Sequence, residues 1–189
     1  MTMNNWLNDG NGYVGDIHLK TEVAHTLSFT ADVHDAGNAN WGVKLTPYVS
    51  QVDGYINATC LTRCAARSFN YLKLVNHDAR LYGVDLSGFA ALGKMDGFGE
   101  FTGRGTINYV NGRDRRNDEP LYNIMPLNAR LTLEHRLGHW SNSLESVLVS
   151  AKNRVSLVRN EMKTSGYGLL NLRSSYESKH YRVDLGIEN

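Results

Sequence analysis

Leu127-Asn128-Ala129-Arg130-Leu131-Thr132-Leu133-Glu134 sets an apolar side chain at each odd position and a polar one at each even position. Consecutive side chains of an extended chain point to opposite sides, so this stretch predicts a strand with one greasy face and one wet face. The same period of two runs outward through most of the chain. Val23, Leu27, Phe29, Ala31 and Val33 alternate with Glu22, Ala24, Thr26, Ser28, Thr30, Asp32 and His34, His25 being the exception on the apolar side. Trp41, Val43, Leu45, Pro47 and Val49 alternate with Lys44, Thr46, Tyr48 and Ser50. Pro47 lacks the N–H that a ladder needs, and the pattern slips near Gln51. In a third strand, from about Tyr71 to Leu92, Tyr82, Val84, Leu86, Ala90 and Leu92 oppose Gly83, Asp85, Ser87 and Phe89. Phe101, Gly103, Gly105, Ile107 and Tyr109 oppose Glu100, Thr102, Arg104, Thr106 and Asn108. Leu170, Leu172 and Tyr176 oppose Asn171, Arg173 and Ser175; Tyr181, Val183, Leu185 and Ile187 oppose Arg182, Asp184, Gly186 and Glu188. Residues 140–152 alternate weakly, and no stretch has the period of an amphipathic helix. The expectation is an all-β chain, an antiparallel up-and-down meander of about eight strands.

The connections sort by length. Those at 36–40, 93–97, around Gly138 and at 177–179 are short; those at 58–70, 111–120 and 153–165 are long. In a meander this puts every short turn at one end and every long loop at the other, the asymmetry of outer-membrane barrels. The polar face carries Glu22, Asp32, Lys44, Asp85, Glu100, Arg104, Arg130, Glu134, Arg173, Arg182 and Asp184. Charges in such number do not fit a dry core. They fit a wide, wet interior or an internal plug, with lipid against the other face and every backbone group paired. Trp41, Trp140, Tyr176 and Tyr181 fall beside the short turns, where an aromatic girdle belongs.

Composition excludes other classes. A net charge of +1 gives no basic surface for nucleic acid. Mean hydropathy is −0.40, and no run of about eighteen apolar residues marks a membrane helix. Met1-Thr2-Met3-Asn4-Asn5-Trp6 has no signal-peptide character. No catalytic motif of the G-x-S-x-G, H-E-x-x-H or Walker type occurs, so no enzyme, cofactor or resident metal is expected. Cys60 and Cys64 suit a small disulfide loop in an oxidising compartment; copper or zinc ligation, or free thiols, are the alternatives. Arg113, Arg115 and Arg116 suit an anionic ligand such as a ferric chelate, against a solvated loop or one bound to lipopolysaccharide phosphates. Tyr55 and Tyr122, with Asn123, fall near the long-loop ends of strands, where ligand contacts are expected.

Five segments resemble TonB-dependent outer-membrane receptors. Asn11-Gly12-Tyr13-Val14-Gly15-Asp16-Ile17-His18-Leu19-Lys20-Thr21-Glu22 resembles the family's G-N-x-x-L-x-P-E, with Thr21 in place of proline. Asn76 to Asp85 resembles N-x-x-x-A-x-x-x-G-V-E, and Ile124-Met125-Pro126-Leu127-Asn128 resembles the I-P-P-x-R strand entry. Gly166-Tyr167-Gly168-Leu169-Leu170-Asn171-Leu172 resembles G-Y-x-x-x-N-L, and Leu185 to Asn189 resembles G-V-x-N. The resemblance implies part of a barrel of about 22 strands, spanning 1–189, with the plug domain and final strand outside this chain. It implies a Gram-negative outer-membrane location and energy-coupled uptake of a ferric siderophore or other metal chelate. The implied partners are lipid and lipopolysaccharide, the plug of the same protein, and the TonB complex through an N-terminal region not present here. A stand-alone eight-stranded barrel with a structural or adhesive role, and a soluble β ligand-binding domain, are the alternatives.

Overall fold

In the computed structural model the described residues are 2–4 (backbone only), 11–37, 40–65 and 68–189. Residues 38–39 of the expected turn and 66–67 of the expected loop therefore lie outside them. The strands are β1 (Thr2–Asn4), β2 (Gly12–Val14), β3 (Val23–Ser28), β4 (Ala31–His34), β5 (Trp41–Cys60), β6 (Tyr71–Met95), β7 (Gly99–Asp114), β8 (Asn128–Leu137), β9 (Trp140–Val149), β10 (Tyr167–Glu177) and β11 (Arg182–Ile187). No helix occurs among the described residues.

β3 and β4 lie end to end along β5, and β5 through β11 then pair in chain order, all antiparallel. Counting β3 and β4 as one, this is the expected eight-strand meander. Pro47 explains the interruption. Phe29 donates its N–H to the Pro47 carbonyl at 3.1 Å, but the proline has no N–H to return. The first strand is interrupted opposite that missing donor. The slip near Gln51 is a bulge between Val52 and Tyr55 that contains Gly54, at φ 68°. Beyond it β5 continues to Cys60, so the sequence reading ended this strand too early. β7 likewise runs on to Asp114 and bridges Arg113 to Pro120. Short β1 and β2 were not anticipated; β2 runs parallel to the start of β6, pairing Tyr13 with Leu72.

Register confirms the two faces. One cross-strand row reads Val33, Val43, Gly88, Gly105, Leu131, Ser146, Leu170; another reads Trp41, Ala90, Gly103, Leu133, Leu144, Leu172, Ile187. These side chains are not packed into a core: Leu131 is 51% exposed and Leu185 69%. The opposite face carries ion pairs in place of leucines. Arg104 Nε meets Glu134 Oε1 at 2.9 Å, and Arg173 Nη2 meets Glu188 Oε1 at 2.7 Å. Between them Glu145 receives Asn171 Nδ2 at 2.9 Å and lies 3.5 Å from Arg130 Nε. Exposed pairs of this kind contribute at most about 1 kcal/mol each, so they keep the face wet more than they hold it together. A soluble sandwich has the reverse arrangement. The sheet is not closed: among the described residues the outer edges of β3–β4 and of β11 have no partner strand.

The short-turn end is tiled by rings. Tyr176 lies 5.0 Å from Trp140, 5.8 Å from His139 and 6.1 Å from Tyr181, between centroids. In the intact protein, Leu131→Arg is expected to cost about 2–4 kcal/mol of folding stability in lipid vesicles, and Thr132→Arg on the opposite face much less. Denaturant unfolding followed by tryptophan fluorescence measures both.

Candidate functional site

The buried apolar residues gather at the long-loop end of the sheet. There the strands run past the exposed leucine rows, and the loops fold back on them. Val52, Ala79 and Leu121 form one cluster, with Tyr55, Leu81 and Ile124 packed against it. Strand alternation places Ala79 and Leu81 on the polar, inner face, so segment 120–124 tucks inward over the barrel wall. Gly112 permits this: a Cβ there would meet Leu121 at 2.9 Å and Ile124 at 3.0 Å. A second cluster, Tyr13, Ala58 and Leu72, takes in Cys64, Leu74 and Val158. Cys60 and Cys64 are joined in a disulfide beside it, with Cα atoms 5.6 Å apart.

Polar nodes tie the loops to this base. Asp114 is almost fully buried and accepts from Asn57 Nδ2 at 2.8 Å and from the Arg116 amide at 2.8 Å. Its other contact is His77 Nδ1 at 2.6 Å. Burial alone would raise the Asp114 pKa, but the bonds from His77, Asn57 and the Arg116 amide outweigh it and hold the carboxyl below its ordinary value. Asp114 is the last residue of β7, at the long-loop end of that strand. Glu161 accepts from the Ser156 amide at 2.7 Å and the Asn123 amide at 2.9 Å and pairs with Lys152, joining two long loops. Arg159 lies over the rings of Tyr122, at 4.7 Å, and Tyr13, at 5.6 Å. Asn76 bonds both ways to the backbone of Lys20, at 2.7 and 3.0 Å, and Glu22 accepts from the Ile56 amide at 2.6 Å. The segment before β3 is thus pinned across the bulge.

The structure separates the ligand candidates. Arg113 is in register with Arg80 on the outer face and pairs with Asp118. Arg115 lines an outer pocket with Arg80. Arg116 alone stays by the inner node, its Nη1 3.5 Å from His77 Nε2. Tyr55 is packed into the Leu121 cluster, where burial raises its phenol pKa, and Tyr122 lies under Arg159. Asn123 is held by Glu161. Among the described residues no group of three or more His, Cys, Asp or Glu side chains is placed to hold a metal ion. Sequence reading missed Asp114, Arg159 and Glu161; Asp114 was legible only as one charge in a basic run.

The family model described as "TonB dependent receptor-like, beta-barrel" matches residues 2–189. Among solved structures, "Copper transporter OprC" aligns with a TM-score of 0.76 at 22% identity, over 90% of this chain and 25% of that one. "The FrpB iron transporter from Neisseria meningitidis (F3-3 variant)" aligns with a TM-score of 0.65 at 12% identity, over 93% of this chain and 28% of that one. Identities this low show the shared fold, and this chain spans about a quarter of the length of those proteins. No curated protein matches it.

Two outcomes follow from the Asp114 node. A depressed carboxyl stabilises fully above its unfolded pKa, so that stability is lost only as pH falls below the ordinary carboxylate range. The protection factors of the amides around residues 114–127, with the intrinsic pH dependence of exchange divided out, are expected to fall there and to stay constant at higher pH. Asp114→Ala leaves several buried donors unpaired, at about 1–3 kcal/mol each, and protease nicking of the same loop at neutral pH is the readout.

Proposed function

We propose a transport function for this chain, which belongs to the TonB-dependent receptor-like β-barrel family. That family comprises receptors and transporters set in the Gram-negative outer membrane as β-barrels. On this reading residues 1–189 are one part of the wall of a barrel of about 22 strands. A plug from the same protein fills the interior, and the TonB complex drives it. The cargo is a ferric siderophore or another metal chelate. The observation that carries the reading is the division of the sheet, with exposed leucine rows on one face and an ion-paired, solvated lattice on the other.

Lipid and lipopolysaccharide surround the outer face; the plug meets the opposite face, which carries Arg104, Arg130, Glu145 and Arg173. The loop end gathers the ligand. Arg116, beside His77 on the inner side, is the arginine best placed for an anionic chelate, while Tyr55 and Tyr122 shape the loops around it. The copper and iron transporters sharing the fold support a metal cargo. A disulfide at the loop end agrees with an oxidising location outside the cytoplasm. No step makes or breaks a covalent bond in the cargo.

A strain lacking the receptor, restored with the full-length gene, is expected to grow on one iron, copper or cobalamin source and to need a working TonB complex for it. Growth that is unchanged when that complex is deleted would reject the reading.

A further inference from the structure

Register aligns four polar residues across the outer face at the long-loop border. His25 pairs with Gln51, Gln51 with Arg80, and Arg80 with Arg113. Two residues nearer the membrane the parallel row is Leu27, Val49, Tyr82 and Asn111. The polar row therefore stands on the side that meets lipid, just where the greasy surface ends. Arg115 folds in beside it. His25, Gln51, Arg80 and Arg115 form the rim, and Leu27 and Val49 the floor, of a pocket of about 360 Å³.

Arg80, Arg113 and Arg115 are matched in number by Asp53, Asp78 and Asp118, but not in pairing. His25 Nε2 has Asp53 Oδ2 at 3.6 Å, and Arg113 has Asp118. Asp78, also on this face, accepts from the Gly54 amide at 3.1 Å. Arg80 and Arg115 are both exposed, and among the described residues neither has a carboxylate in ion-pair range. Two guanidinium groups thus converge over an aliphatic floor that is continuous with the lipid-facing surface. A guanidinium fork matches a phosphate in shape and charge. A floor of leucine and valine matches the top of an acyl chain, and a small anion in solution has no use for it.

We infer that this pocket binds a phosphate group of the outer-leaflet glycolipid, the lipid A portion of lipopolysaccharide, with Arg80 and Arg115 as its cationic ligands; Gln51 borders it, its Nε2 donating to Asp53 Oδ1 at 3.1 Å. The inference rests on the membrane reading above, because only that reading puts a phosphorylated headgroup at this height on the wall.

The test uses the intact protein in nanodiscs, with bound lipid counted by native mass spectrometry. The wild type is expected to retain diphosphorylated lipid A about tenfold more strongly than the dephosphorylated form or phosphatidylglycerol. Arg80→Gln with Arg115→Gln is expected to abolish that preference, and Arg80→Lys with Arg115→Lys to keep only part of it, since an ammonium retains the charge and loses the fork. Equal retention of phosphorylated and dephosphorylated lipid A by the wild type overturns the inference without any variant. So does a preference met equally by phosphatidylglycerol, or one that survives the glutamine pair. Heat-modifiable gel mobility separates the two readings: a protein that inserts but ignores the phosphate loses only this site, and one that never inserts loses the transport reading too.

Discussion

A peptide group facing hydrocarbon has no water to bond, so every N–H and C=O of a lipid-facing strand must find its partner in a neighbouring strand. The rest of this structure depends on that constraint. It explains ladders that run in unbroken register through β7, β8, β9 and β10. It also explains why the first strand is interrupted opposite Pro47, where one donor is missing from the ladder. With the backbone bonds satisfied in the plane of the sheet, the side chains are free to specialise by face. Leu131, Leu133, Leu144 and Leu172 take one solvent, and Arg104, Arg130, Glu145 and Arg173 the other.

That specialisation is what made the fold legible. Alternation is a local property, and a single strand such as 127–134 displays it without reference to its neighbours. The order of short and long connections added the topology. What escaped reading was whatever depends on contacts between distant segments. Bulging at Gly54 looked like a failing pattern because the extra residue reverses the alternation beyond it. β2 was invisible because three residues carry no period, and its parallel partner starts at Tyr71. The loop end was hardest. Asn11 donates to the Arg159 carbonyl across 148 positions of sequence, and no spacing rule connects the two. Asn76 belonged to a quoted motif, yet its work of clamping the Lys20 backbone shows only in three dimensions.

The two ends divide the labour. At the short turns, tilted and edge-on rings gather around Tyr176, where the membrane reading puts an aromatic girdle. At the other end, small clusters around Leu72 and Leu121 do what a core does in a soluble protein, and fix the loops to a rigid base. The arginines show why sequence neighbours need not share a task. A strand end sends Arg113 outward, the buried Asp114 inward, and leaves Arg115 and Arg116 on different sides of the wall.

Connection length also carries kinetic meaning. Only Gly138 and His139 separate β8 from β9, whereas residues 150–166 separate β9 from β10. Chain-closure entropy grows with the logarithm of loop size, and the difference between these two gaps amounts to roughly 2 kcal/mol. Ribbon pairs joined at the tight end, such as β8 with β9 and β10 with β11, therefore zip cheaply on their own. Joining one ribbon to the next carries the larger entropic cost, which makes the hairpin the natural unit in which such a wall is added to a growing barrel.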